Sequence, residues 1–248
     1  MTLTIRPLRV GAVSIDKSFL TYLRNAGTLV TAPHIVWLIE GGAEKVLVDT
    51  GPPPPEEASR YGYALAQLPE EAPAVALERA GVLPAHIDIV ILTHLHWDHA
   101  SNNHLFPRAR ILVQREELRY AIAPLPIGAR GYGAPTCGMK PHYLGPPLTA
   151  VEGDVEVCPG ISLLFTPGHT PGSQCVVAAT SRGKYVIASD TVPTFENWQG
   201  YPPIIPHHPN GIHVDLTEYF ASLRRIEVVA DFVLPGHDEV VFRQIAYP

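Results

Sequence analysis

The sequence is poor in cysteine, poor in charge and without a long apolar run. Its cysteines, Cys137, Cys158 and Cys175, are odd in number and lack metal-type spacing. That argues against a disulfide framework and leaves free thiols suited to a reducing compartment. No local signature makes any of them a nucleophile. Charged residues are only 17% of the chain and hydrophobic ones 46%, which excludes a disordered type and supplies a sizeable core. Lys and Arg number 18 against 24 Asp and Glu; the net charge of -6 argues against a nucleic-acid partner. No apolar run reaches membrane-spanning length, and Met1 to Val10 has no apolar segment or cleavage site of a secretory signal. The expectation is a cytoplasmic protein that binds a small molecule, with neither nucleic acid nor membrane as partner.

What the chain has in plenty is proline, 26 residues, many of them in the patches 52–55, 124–147 and 193–209. Such patches read as loops between regular elements. A length of 248 residues allows one large domain or two small ones. Ile35 to Ile39 and Lys45 to Val48 read as a hairpin with a Gly-rich turn, ending at Asp49-Thr50-Gly51. Pro52 to Pro69 reads as surface loop. Pro73 to Ala80 reads as a helix, with Pro near its start and Gly81 beyond its end. Strands are expected over 87–92, 110–114, 151–157, 161–165, 175–179, 184–188 and 232–234, and a helix over 115–121. Asp215 with Glu218 resembles a capping box opening an amphipathic helix that runs to about Val229. Helices feeding strands in this way indicate an α/β unit.

The chain is organised around Thr93-His94-Leu95-His96-Trp97-Asp98-His99. An apolar strand leads into it, and the C-terminal ends of buried strands are where open α/β sheets place their chemistry. A helix starting near Asp98 would aim Asp98 and His99 differently from His94 and His96, so these ligands feed two adjacent ions better than one. Further ligand types stand in turns after apolar runs: His169, Asp190 and His237. Imidazole and carboxylate suit zinc, iron, manganese or cobalt, and the absence of thiolates argues against a structural four-Cys zinc. Seven ligands shared by two metals leave open positions, which is a catalytic arrangement. One carboxylate can bridge the ions, and Asp190 is the natural candidate. Asp49, at a strand end, either orients a ligating His or caps a turn. The long segment 123–150 is expected to cover the site and touch a substrate. His34 and His86 read as structural or surface residues, and His104 as a possible neighbour of the ligands. One of His207, His208 and His213 is expected to reach the pocket.

These motifs resemble the metallo-β-lactamase superfamily over essentially the whole chain, which implies one domain, residues 1–248. Within it the chain is most similar to the acyl-homoserine lactone lactonases, through Thr93 to Asn103, Thr166 to Ser173, Asp190 with Glu196-Asn197, and Leu234 to Asp238. The resemblance implies an α/β (α+β) fold, an αββα sandwich of two mixed β-sheets flanked by helices. It implies that His94, His96 and His169 hold one metal, that Asp98, His99 and His237 hold the other, and that Asp190 bridges. Two divalent ions are expected, zinc first and Fe, Mn or Co next. The lactonases carry a Tyr three residues after the bridging Asp; here that position is Pro193. Tyr201, Tyr132, Tyr143 or a His of the third loop is left to fill the role.

The expected activity is opening of a lactone, with an N-acyl homoserine lactone in view, by attack of a hydroxide held between the ions. Asp98 and Asp190 are the catalytic carboxylates, and Asp98 or a bound water returns the proton to the leaving alkoxide. The same cage would serve another ester, a thioester, a cyclic amide, a phosphodiester or a mononuclear-iron sulfur dioxygenase. A glutathione thioesterase is disfavoured by the short stretch after His237, and a superfamily nuclease by the lack of an inserted domain and basic surface. A catalytically dead binding domain is the non-enzyme alternative. A monomer or homodimer is expected.

Overall fold

A strand that is apolar on both faces needs a covering layer on each side. The run Val36-Trp37-Leu38-Ile39 is such a strand. In the computed structural model, which describes residues 2–248, Trp37 and Ile39 enter a core shared between two sheets. Val36 and Leu38 point the other way, into a core closed by helical residues such as Ala76 and Leu77.

In chain order the strands are β1 (Thr4–Asp16), β2 (Leu29–Glu40), β3 (Val46–Val48), β4 (Leu65–Ala66), β5 (Ile89–Ile91), β6 (Arg110–Gln114), β7 (Leu148–Val151), β8 (Val155–Cys158), β9 (Ile161–Phe165), β10 (Gln174–Thr180), β11 (Gly183–Ser189) and β12 (Phe232–Pro235). They form a seven-stranded sheet, β4-β1-β2-β3-β5-β6-β7, and a five-stranded sheet, β12-β11-β10-β9-β8. Both are mixed: β3, β5, β6 and β7 run parallel beside an antiparallel pair β1 and β2, while β11 and β12 run parallel beside antiparallel β8 to β10. The helices are α1 (Pro55–Ala58), α2 (Pro73–Arg79), α3 (Trp97–Ala100), α4 (Arg115–Ile122), α5 (Phe195–Gln199) and α6 (Leu216–Val229). The expected αββα sandwich is the fold observed.

The outer face of the smaller sheet is covered by α6. Asp215 Oδ1 accepts hydrogen bonds from the backbone N–H groups of Thr217 and Glu218, at 2.8 and 3.0 Å, and so starts the helix. Tyr219, Leu223 and Ile226 are then buried on Val177, Val186 and Val233. Each such side chain contributes about 1.5–3 kcal/mol by leaving water.

One strand went unread and two expectations need correction. β1 is absent from the sequence reading because Pro7 and Gly11 interrupt it; Pro7 is tolerated because β4 pairs only with Ala12 and Val13, leaving the edge beside Pro7 open. The single strand expected over 151–157 is two strands in different sheets, divided at Gly153, whose φ of +65° turns the chain from one sheet to the other. The stretch 52–69 is not all surface loop: it forms α1 and β4, and Ala58 and Tyr61 are buried. No helix among the described residues is long and apolar enough to cross a membrane.

Candidate metal centre

The site is built where strands end. The Thr93–His99 stretch leaves β5, His169 lies in the turn after β9, Asp190 follows β11 and His237 follows β12. Thr93 ties the end of β5 to the ends of β3 and β11. Its N–H donates to Asp49 Oδ1 at 2.8 Å, and its hydroxyl lies 2.9 and 3.0 Å from the Asp49 carboxylate and 3.0 Å from Ser189 Oγ. Asp49 and Ser189 hold positive φ angles of 61° and 45°. Short polar side chains tolerate that conformation when local hydrogen bonds fix it.

His94, His96 and His169 converge on one point. His94 Nε2 is 3.0 Å from His96 Nδ1 and 3.2 Å from His169 Nε2, and His169 Nε2 is 3.1 Å from His96 Nδ1. Tetrahedral ligands 2.0–2.1 Å from a zinc ion lie about 3.3 Å apart, so the triangle has the size of a coordination face. His169 is aimed by Nδ1–H donating to the Ile212 carbonyl at 2.8 Å. Burial holds all three imidazoles below their ordinary pKa, His96 at about 3, with neighbouring histidines adding to the effect on His94 and His96. They are therefore neutral, the form that donates a lone pair to a metal.

Asp98, His99, Asp190 and His237 form a second, contiguous group. Asp190 stands between the two. Its Oδ2 is 3.3 Å from His169 Nε2, while its Oδ1 is 2.9 Å from His237 Nε2 and 3.3 Å from His99 Nε2. His99 Nε2 is also 3.5 Å from Asp98 Oδ2. His99 is oriented by Asp49, whose Oδ2 lies 2.7 Å from Nδ1, and His237 by Nδ1–H donating to the Pro33 carbonyl at 2.9 Å. Asp49 therefore does orient a site histidine, as ligating imidazoles usually require. Burial alone would lower the pKa of His99 and His237, but the surrounding carboxylates raise both. Burial likewise opposes ionisation of Asp98 and Asp190, yet the adjacent histidines hold both well below the usual carboxylate range. The structure thus brings all seven sequence-derived residues together.

Glu117, on α4, has no exposed surface and clamps the segments that carry the first three histidines. Its Oε1 accepts from the Leu95 N–H and the Tyr132 hydroxyl, each at 2.9 Å. Its Oε2 accepts from the Thr170 hydroxyl at 2.6 Å and the Gly172 N–H at 3.2 Å. A Cβ on residue 172 would lie 2.1 Å from the Glu117 nitrogen, so only glycine allows this approach. Glu117→Ala strands two buried backbone donors and should cost on the order of 3 kcal/mol, lowering Tm by roughly 6–12 °C. Thermal unfolding of the two proteins checks this; a Tm unchanged to within about 2 °C would show that the clamp holds nothing.

Above the two groups opens a pocket of about 240 Å³. Segment 123–150 covers it, as expected, through Ile127, Arg130 and Gly131. Tyr61, Tyr63 and Trp97 form an aromatic wall, both tyrosine rings stacking on the indole at centroid distances of 5.3 and 5.4 Å. The tyrosines expected to replace the one missing at Pro193 are engaged elsewhere: Tyr132 donates to Glu117, Tyr143 to the Ala121 carbonyl and Tyr201 to Glu196. His207, His208 and His213 also miss the pocket; each bonds a backbone carbonyl, of Trp198, Tyr22 and Asn210 respectively. The backbone of Pro193 instead accepts the His237 N–H at 2.7 Å. His86 and His104 are exposed. Reading the sequence missed Tyr61 and Tyr63, hidden in a Pro-rich stretch; His34, read as structural or surface, is buried and lines the pocket 3.3 Å from Asp98.

Residues 32–237 match the family described as the metallo-beta-lactamase superfamily. An N-acyl homoserine lactonase of Bacillus cereus is 30% identical over 248 residues, covering 92% of this chain and 90% of the relative. Among solved structures, a variant of the B. thuringiensis protein AiiA with N-decanoyl-L-homoserine bound at its active site superposes with a TM-score of 0.81, at 28% identity, over 98% of this chain and 96% of that one. An N-acyl homoserine lactone hydrolase with its product N-hexanoyl-L-homoserine bound at the catalytic metal centre gives 0.80, at 27% identity, over 98% and 96%.

Proposed function

This chain belongs to the metallo-beta-lactamase superfamily, and on that premise we propose that it hydrolyses lactones, with N-acyl homoserine lactones as the leading substrate class. One observation carries the reading: beneath a single pocket, Asp190 reaches His169 of one donor group and His99 and His237 of the other. The donors are nitrogen and carboxylate oxygen throughout, which fits two divalent ions, zinc first and iron, manganese or cobalt next. His94, His96 and His169 would hold one ion, Asp98, His99 and His237 the other, and Asp190 would give an oxygen to each. Such a pair, when bound, acidifies water to a pKa of about 7 and polarises the substrate carbonyl.

The remaining work falls to the protein. Asp98 lines the pocket and would carry the proton from the attacking water to the leaving alkoxide. Tyr61 has its hydroxyl 3.1 Å from His142 Nδ1, which leaves Tyr63 as the tyrosine of the wall whose hydroxyl has no partner among the described residues and can meet a polar substrate group. Trp97 and the apolar side chains Val13, Ile15 and Phe19 offer the acyl part of the substrate a dry surface.

The test is a substrate panel on the purified protein: N-acyl homoserine lactones, simple lactones, thioesters and phosphodiesters. Lactone opening should disappear on exhaustive chelation and return on adding two equivalents of zinc. A protein that leaves lactones intact and cleaves a phosphodiester or thioester would overturn the substrate class. Full activity after chelation would overturn the metal.

A further inference from the structure

His34 lies on β2 within an otherwise apolar run, where a histidine most often serves as packing. Its setting is different. In the pairing of β1 with β2, Arg9 opposes Ile35 and Ala12 opposes Pro33, so His34 faces the two-residue bulge at Val10 and Gly11. Bulges beside functional sites re-aim side chains, and here the imidazole is turned into the pocket. The next residue back is already tied to the second donor group, since the Pro33 carbonyl accepts His237 Nδ1–H at 2.9 Å.

His34 is 2% exposed, and neither ring nitrogen has a hydrogen-bond partner among the described residues. Leaving such groups unsatisfied is expensive, so buried polar atoms without partners call for an explanation. Nδ1 lies 3.3 Å from Asp98 Oδ2 yet is not aligned to donate to it. His99 Nε2 has the same signature: buried, without a hydrogen bond, 3.3 Å from Asp190 Oδ1 and 3.5 Å from Asp98 Oδ2. Atoms that crowd together without bonding one another are arranged around a common third party. The ligand atoms of His34, Asp98 and His237 all lie within 4.8 Å of one another; Asp98 Oδ2 is 3.3 Å from His34 Nδ1 and 4.0 Å from His237 Nε2, inside the span of about 4.4 Å that one ion 2.0–2.2 Å from each ligand permits.

Resting on the two-ion reading above, we propose that His34 is an additional protein ligand of the second cation, beside Asp98 and His237. An imidazole from β2 adds a fifth protein donor to that ion after Asp98, His99, Asp190 and His237, and holds it more firmly. The first ion, on His94, His96 and His169, does not depend on it.

The experiment loads the metal-free protein and His34→Val with cobalt(II), in competition with a chelator of known affinity. In His34→Val the second ion should bind at least about 10-fold more weakly, with the first unchanged; disturbing even the outer partners of ligating histidines costs that much. Proton NMR of the cobalt-loaded unsubstituted protein provides a reading that needs no variant. Ligation by His34 gives one exchangeable, paramagnetically shifted imidazole N–H beyond those of His94, His96, His99, His169 and His237. A variant that binds both ions as tightly as the parent, or a parent spectrum without the additional resonance, overturns the proposal while leaving the two-ion site intact. A parent protein that takes up a single ion overturns the two-ion reading itself, and this one with it.

Discussion

Asp190→Ala should leave a protein that retains one divalent ion instead of two and opens lactones at least about 10³-fold more slowly in kcat/KM, equivalent to ~4 kcal/mol of transition-state stabilisation. The size of the effect follows from its two oxygens. Oδ2 meets His169 of one donor group and Oδ1 meets His99 and His237 of the other, so no second residue can take its place. Truncation also removes a buried anion from beside His99 and His237, whose protonated forms it supports. Uncompensated buried charge is costly, commonly 3–5 kcal/mol. The metal-free variant should therefore unfold at lower temperature than the metal-free parent. Asp190→Asn separates the two contributions: it keeps the shape and loses the charge, and should recover part of the thermal stability but little of the turnover. Metal content, kcat/KM and Tm of the three proteins are the measurements. Turnover within about tenfold of the parent in Asp190→Ala would remove the bridge from the proposed site.

Much of this site is legible in the sequence because its parts are local. His94, His96, Asp98 and His99 fall within six positions after an apolar run, and His169, Asp190 and His237 each occupy a turn at the end of a strand. Strand-end position is visible in one dimension. What lies across the sheet is not. β1 escaped because Pro7 and Gly11 break its pattern, and its place is fixed by pairing with β2 and β4. His34 escaped for the same reason: what turns it toward Asp98 is the bulge in the neighbouring strand, a non-local feature. Tyr61 and Tyr63 reach the pocket through a Pro-rich segment whose composition suggests surface, and only the stack on Trp97 shows otherwise. Glu117 is a further case. Nothing in Arg115-Glu116-Glu117 marks the third residue, yet it is wholly buried and holds both histidine-bearing turns. The expected substitutes for the tyrosine missing at Pro193 went astray because hydroxyl-bearing residues are common in loops, and proximity in sequence says nothing of where a hydroxyl points.

Proton release on metal loading should be about two at pH 6, where five histidines with ordinary pKa values near 6.5 would release about four. The difference arises because the site divides its histidines. His94, His96 and His169 sit below their ordinary pKa, chiefly through burial, and enter the complex already neutral. His99 and His237 sit above it, the carboxylates having overcome burial, and each releases a proton to solvent when a metal binds. Calorimetric loading in buffers of different ionisation enthalpy counts these protons directly. The same division fixes how stability varies with pH in the metal-free protein. Histidines held below 6.5 make the unfolded chain the stronger proton binder in acid, so stability falls as pH drops from 6.5 toward their folded values. Histidines held above 6.5 have the opposite sign: their contribution is complete below 6.5 and is lost as pH rises through the folded values. The metal-free Tm should therefore peak near pH 6.5. Loading with zinc replaces the two protons by cations, so the alkaline decline should vanish and the maximum move upward. A metal-free protein whose Tm climbs steadily to pH 9, with four protons released at pH 6, would show that the two donor groups are not electrostatically distinct.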